Sequence, residues 1–367
     1  MAILLAIATA GCAALPVSGP TGGAILHSGR DKSGAAAFEI VEVDSVVKLP
    51  AAPIVGASTL TSIAPPPTNQ VGPGDVLNIA IYEPGIALFG GGSRGVSAGG
   101  VTFDPSANSE KLPPLTVDDA GYINLPFIGR IRASGHTTAQ LAASIRGRLT
   151  GLSQDPQVLV GFQQSISNSV IVAGEVARPG RLVLATNRET LNDTIALAGG
   201  YRGEAKDVVA RVERDGTDYE VRLADLLNRP GLDVSIVPGD RVTLISRPQS
   251  FSILGAPNKV EEMRFPRTAL TLAQAVSLAG GANPSTGDAA AIFIFRYVPQ
   301  PDRSEKPVVY HLNMMRAGAY FLSQRFAMRD GDILYIGNAR ANQPTKLVQL
   351  VSQLFVPIVT VKNTSGL

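Results

Sequence analysis

Between residues 70 and 340, short apolar runs with a period of two alternate with clusters of Gly, Pro, Asp and Asn, which predicts many short strands separated by turns and a few short helices. The stretch VGPGDVLNIAIYEP opens this region: Pro73, Gly74 and Asp75 read as a turn, and Val76, Leu77, Ile79 and Ile81 as a strand. A Gly/Ser-rich stretch, FGGGSRGVSAGG, then predicts a long mobile loop over 85–114. Order resumes with a turn at Asp118 to Gly121 and a strand carrying Tyr122, Ile123, Leu125 and Phe127. Thr137 and Gln140 have capping-box spacing before a helix that puts Leu141, Ile145 and Leu149 on one face, and Val158, Leu159 and Val160 follow as a strand.

Two later segments are versions of each other. TLNDTIALAGGY (190–201) and TLAQAVSLAGGA (271–282) both read as short capped helices, with Leu191, Ile195 and Ala198 or Leu272, Val276 and Ala279 facing a core and a Gly-Gly pair as the stop. Strands VIVAGEV and FSILGAP precede them, and strands entered through VPGDRVTLIS and MRDGDILYIG follow. Recurrence at a spacing of about 80–90 residues predicts a duplicated α+β module. The Gly-Asp turn occurs three times, at Asp75, Asp240 and Asp332. As a metal or catalytic set these carboxylates would have to converge, yet each lies in a separate module. The reading adopted is structural: each Asp bonds the backbone of its own turn.

The chain's two ends depart from this pattern. Residues 13–70 are rich in Ala, Gly, Ser and Pro and read as tether, except for an alternating stretch from Phe38 to Asp44 that predicts a strand with Phe38, Ile40 and Val43 inward. APPPTNQ reads as a stiff linker before the first compact unit. At the other end, no charge falls between Leu347 and Val361, but Gln349, Ser352, Gln353 and Thr360 interrupt the apolar run. On a helix, Lys346, Gln349, Gln353 and Thr360 fall in a stripe about 60° wide, while Leu347, Leu350, Val351, Leu354, Ile358 and Val361 form the broad opposite face. Periodicity alone fits two structures, a helix docked on a soluble domain or one that inserts in a membrane beside others like itself. The uncharged run extends about 22 Å at helical rise, short for a membrane span.

Composition narrows the function classes. The 367 residues, 45% of them hydrophobic, allow two to four small domains, and 32 Lys and Arg against 30 Asp and Glu leave no basic block for nucleic acid. The single cysteine, Cys12, excludes an internal disulfide. It follows the apolar run Ala2 to Ala8 and the small residues Ala10 and Gly11, the arrangement of a bacterial lipoprotein signal in which Cys12 takes the acyl chains; a buried core cysteine is the other reading. Three histidines, His27, His136 and His311, stand in no metal-binding spacing, and neither a phosphate-binding loop nor a GxSxG elbow occurs. Asp118-Asp119 and Glu261-Glu262 are adjacent in extended segments and point apart, so they make poor acid/base pairs. No catalytic residue, metal site or cofactor is expected.

PGDVLNIAIYEP, VDDAGYINLPFIGRIRASGHTTAQLAASIRGRL and DPQVLVGF together resemble the export domain of the outer-membrane polysaccharide export (OPX) family, of the Wza type. The duplicated units resemble its soluble-ligand-binding β-grasp (SLBB) modules. The resemblance implies an α+β, multi-domain chain: signal peptide 1–11, N-terminal tether with one strand 12–69, export domain 70–165, SLBB-like modules 168–247 and 250–340, and a C-terminal amphipathic outer-membrane helix 345–363. It further implies a homo-oligomeric ring, an octamer in this family, whose C-terminal helices form an α-helical barrel. The bulk of such a protein stands in the periplasm, lipid-anchored to the outer membrane, and passes exopolysaccharide or capsular polysaccharide to the surface. An inner-membrane polysaccharide co-polymerase, often a tyrosine autokinase, is the implied partner. In that setting Lys346, Gln349, Gln353 and Thr360 line the pore and the apolar face meets lipid or neighbours. The alternative is a lipid-anchored periplasmic saccharide-binding adaptor that works with a separate outer-membrane pore.

Overall fold

The computed structural model describes residues 19–28, 38–50, 60, 63–83, 108–153, 155–300, 302 and 304–339. They fall into two compact units, one drawn from residues 55–247 and the other from 1–54 together with 248–367. First among the described residues are helix α1 (Gly22–Ser28) and strand β1 (Glu39–Glu42), both of which belong to the second of these units. The helix differs from the expected tether.

In the first unit, β2 (Val76–Glu83) is the spine of an antiparallel sheet. It pairs with β3 (Asn108–Lys111) and β4 (Leu115–Thr116). A hairpin of β5 (Tyr122–Leu125) and β6 (Gly129–Arg132) follows, then α2 (Thr138–Leu149) and β7 (Gln157–Gln164), which pairs with the other edge of β2. Alternation along β2 sends Leu77, Ile79 and Ile81 inward, where they meet Ile123, Ile131 and the Leu141, Ile145, Leu149 stripe of α2. Burying each such side chain contributes roughly 2 kcal/mol. The reciprocal cap expected at the start of α2 is formed, with the Thr137 hydroxyl accepting from the Gln140 N–H and the Gln140 side chain from the Thr137 N–H.

Two local expectations are corrected here. Residues Asn108–Lys111, inside the expected 85–114 loop, form β3; NSEK has no apolar alternation, and its strand geometry is imposed by backbone pairing with Ala80–Glu83. Of that loop, residues 84–107 lie outside the described residues. Phe127 does not continue β5: Pro126 follows the strand's last residue, and Phe127 sits at φ 67 in the connecting turn, exposed.

The same unit continues with β8 (Ser169–Gly174), β9 (Gly180–Val183), α3 (Leu191–Leu197), β10 (Val208–Arg214), β11 (Thr217–Arg222), α4 (Leu223–Asn228) and β12 (Arg241–Ser246). They make a mixed sheet of order β11-β10-β12-β8-β9, in which β8 and β12 are parallel. The second unit repeats the series as β13 (Ser250–Gly255), β14 (Glu261–Arg264), α5 (Leu272–Leu278), β15 (Gly287–Pro299), β16 (Glu305–Leu312), α6 (Ala317–Arg325) and β17 (Asp332–Asn338). Its sheet has the order β1-β16-β15-β17-β13-β14, which is the first module's order with β1 added at one edge. One glycine is demanded twice by this repeat. At Gly174 and Gly255, φ is 83° and 92°, and a Cβ would stand 1.9 Å from the Leu244 carbonyl oxygen or 2.1 Å from that of Ile336.

The added strand changes what the second sheet can bury. Val43 joins the core formed with α5 and α6 on one face, while Phe38 and Ile40 pack on the other face around Ile25 of α1, Phe293, Val309 and Tyr335. All three residues expected to face inward are thus at least partly buried, but against opposite faces, because the sheet is covered on both.

Candidate functional site

In each module an arginine occupies an inward position at one end of a central strand. Along β10, Ala210, Val212 and Arg214 share the buried face; along β15, Ile292, Ile294 and Arg296 do. A guanidinium on an apolar face needs a buried partner, and the Gly-Asp turn supplies it. Arg214 donates to Asp240 from Nε (2.8 Å) and Nη2 (2.6 Å), and Nη2 also donates to the Ser235 carbonyl at 2.7 Å. Arg296 repeats this with Asp332 at 2.8 and 2.6 Å and with the Ala327 carbonyl at 2.9 Å. Hydrogen bonding to Asp240 outweighs burial and raises the Arg214 pKa, so its charge is held.

Each carboxylate also accepts from its own turn, Asp240 from the Val237 N–H (2.9 Å) and Asp332 from the Arg329 N–H (2.7 Å). Asp75 accepts from the Gly72 N–H at 2.8 Å, yet its other donors are different. They are the N–H groups of Ile166 and Ser167 at 2.7 and 2.8 Å and the Ser167 hydroxyl at 2.6 Å. The first turn therefore ties the entry of β2 to the segment that leads into β8, and each of the three aspartates is placed in a turn of its own. Among the described residues, no group of three His, Cys, Asp or Glu side chains could hold a metal ion. Sequence reasoning missed Arg214 and Arg296; the available signal was a charge in register with the apolar positions of a strand.

The residues expected to carry lipid or line a pore, Cys12, Lys346, Gln349, Gln353 and Thr360, lie outside the described residues, as do Leu347, Leu350, Val351, Leu354, Ile358 and Val361. Among the described residues, no helix is long and apolar enough to cross a membrane. In the second unit the first and last described stretches of the chain meet. Thr21 bridges to Asn338, the Asn338 side-chain amide donates to the Gly19 carbonyl (2.9 Å), and Tyr335 Oη donates to the Pro20 carbonyl (2.7 Å). Nearby, β1 lies parallel to β16, with Lys306 bonded to Glu39 at 2.6 Å and His311 Nδ1 to Glu42 at 2.5 Å. His311, unassigned by sequence, thus helps to hold the N-terminal strand.

The arrangement of an export-type domain and two successive β-grasp modules is matched by family models. The model described as "Polysaccharide biosynthesis/export protein" matches residues 63–163, and two SLBB domain models match residues 169–222 and 249–336. A capsule polysaccharide export outer membrane protein, CtrA of Neisseria meningitidis, is 31% identical over 96% of this chain and 94% of its own length. The chain belongs to the outer-membrane polysaccharide export family. Further OPX relatives include the capsule polysaccharide export protein BexD of Haemophilus influenzae, 29% identical over 98% of this chain and 96% of its own, and the Vi polysaccharide export protein VexA/TviF of Salmonella typhi, 27% identical over 82% and 84%. In OPX terms the twin Arg–Asp pairs are the buried pins of the two SLBB modules, and Asp75 is the clasp between export domain and first module.

Proposed function

We propose that this chain exports capsular polysaccharide or exopolysaccharide from the periplasm to the cell surface, as an outer-membrane protein working without chemistry of its own. The observation that carries the reading is the ordered set of export domain and two SLBB modules, shared over nearly the full length with relatives named for capsule export. In this reading Cys12 is acylated and several copies, an octamer by family pattern, form a ring. One helix per subunit from residues 345–363 crosses the membrane with Lys346, Gln349, Gln353 and Thr360 toward the lumen. A helix in a barrel satisfies every amide internally and needs water on one side only, which fits the tail's polar stripe. An inner-membrane co-polymerase or tyrosine autokinase meets the periplasmic base. Deleting 345–367 is expected to leave a periplasmic protein and abolish surface polymer; normal surface polymer in that strain refutes the pore.

The shortness of the tail favours a second reading, a lipid-anchored adaptor that holds saccharide and leaves the crossing to a separate pore. Cryo-EM of the detergent-extracted protein separates the two. A closed ring with a helical barrel supports the first, and a monomer or open assembly the second.

A further inference from the structure

Strand register places three chain segments at one end of the second module. Ile292 of β15 pairs with both Leu312 of β16 and Ile336 of β17, and Glu42 of β1 pairs with His311. Just beyond that level lie Val43 to Lys48 after β1, Asn313 to Arg316 after β16, and Gly337 to Ala339 at the end of β17. Neighbouring strands are about 4.8 Å apart, so the four-strand width from β1 to β17 is about 15 Å. The N-terminal segment reaches the same end, since Gly19 and Thr21 contact Asn338. Cys12 is seven residues before Gly19 and residue 345 is six after Ala339, reaches of at most about 25 and 20 Å.

This end is also where the module exposes apolar side chains that its core does not use. Val47 is 93% exposed, Met315 74% and Phe321 73%, with Val46 and Tyr320 beside them. The turn holding Val46 and the start of α6 form one surface, since Val46, Arg316, Gly318 and Leu322 line a common cleft. Arg316 is exposed, and Lys48 is paired with Asp44. The first module lacks the feature. There β11 runs straight into α4, whose first residues Leu223 and Ala224 are buried, whereas the second module inserts Asn313 to Arg316 before α6. Among the described residues, the insertion and its exposed side chains occur in the second module, where Gly19 and Thr21 meet Asn338.

We infer that Val46, Val47, Met315, Tyr320 and Phe321 form a membrane-docking surface on the second SLBB module, seated in the headgroup and upper acyl region of a phospholipid leaflet. Its chemistry fits that interface: aliphatic and thioether side chains enter the acyl boundary, an aromatic hydroxyl stays at headgroup level, and Arg316 meets phosphate. The inference rests on the reading of Cys12 and 345–363 as the membrane-bound ends. It adds that the folded module itself touches lipid instead of hanging from two tethers. Close seating would fix the module's height beneath the membrane.

The test uses the full chain purified from membranes and reconstituted in vesicles of phosphatidylethanolamine and phosphatidylglycerol. Val47→Cys, Met315→Cys and Phe321→Cys are each labelled with an environment-sensitive fluorophore and exposed to a headgroup-level lipid quencher or to soluble iodide. Tyr297→Cys is the control, because Tyr297 is 68% exposed and pairs with Pro307 toward the opposite end of the sheet. Leu354→Cys reports the tail separately, and the protein bearing only Cys12 gives the background. The expected result is that the lipid quencher removes most of the emission at 47, 315 and 321 and little at 297, with iodide doing the reverse. Iodide quenching at 47, 315 and 321 overturns the inference, and so does protection from both quenchers, which would mark an interface between copies. Lipid quenching at 354 without quenching at the three module positions refutes the surface alone. The converse refutes the membrane-inserted tail and leaves the surface standing.

Discussion

Arg296 and Asp332 meet through two parallel hydrogen bonds of 2.8 and 2.6 Å, with side chains only 3% and 1% exposed, and Arg214 and Asp240 repeat the contact in the preceding module. Removing one partner leaves the other charge buried and unpaired. Arg296→Met or Asp332→Leu alone is therefore expected to cost about 3–5 kcal/mol, while the two changes together cost much less than the single changes summed. Denaturant unfolding of the four proteins closes the cycle.

Asp75 accepts four hydrogen bonds, three of them from Ile166 and Ser167. Asp75→Ala strands those donors and is expected to destabilise by about 3 kcal/mol or more. Native-state hydrogen exchange checks the location as well as the size. The amides of Ile166 and Ser167 should lose protection, and those of α2 should keep theirs.

Glycines of opposite kinds give opposite signs. Gly174→Ala drives a Cβ to 1.9 Å from a carbonyl oxygen at positive φ and is expected to cost roughly 2–4 kcal/mol. Gly147 lies in α2 with nothing within 4 Å of its would-be Cβ, so Gly147→Ala should stabilise by about 0.5–1 kcal/mol. Thermal melting of both variants is the measurement.

Glu220 accepts from Arg247 and Arg211, and these bonds hold its pKa below the ordinary glutamate value of 4.5. A depressed carboxylate contributes stability that is fully present above that ordinary value and is lost as pH falls through the lowered one. Glu220→Gln should therefore narrow the stability difference between pH 7 and acid relative to the unchanged protein. Urea unfolding at several pH values between 7 and 3 reads it out.

Gln349→Leu with Gln353→Leu tests the face proposed for the tail. Surface polymer should fall while membrane association of the protein is retained, as measured by polymer immunolabelling and membrane fractionation. Unchanged export in the double variant removes these residues from the lumen.

What the sequence by itself determined was short-range. The capping boxes at Thr137, Thr190 and Thr271, the Gly-Gly stops and the apolar stripe of α2 follow from periodicity and turn chemistry within about a dozen residues, and the duplicated module follows from the recurrence of those local signals. The ordered modules made the family legible as well. Partner choice was decided only in three dimensions. Arg214 finds Asp240 26 positions on, Arg296 finds Asp332 36 positions on, and Asp75 finds Ser167 92 positions on, because a buried charge accepts whichever donor or acceptor the fold brings to it. For the same reason NSEK becomes a strand beside β2, and β1 crosses 267 positions from Glu39 to Lys306 to complete the second sheet. An edge's hydrogen-bonding groups and uncovered apolar faces choose their cover by proximity in the fold, which local pattern does not encode.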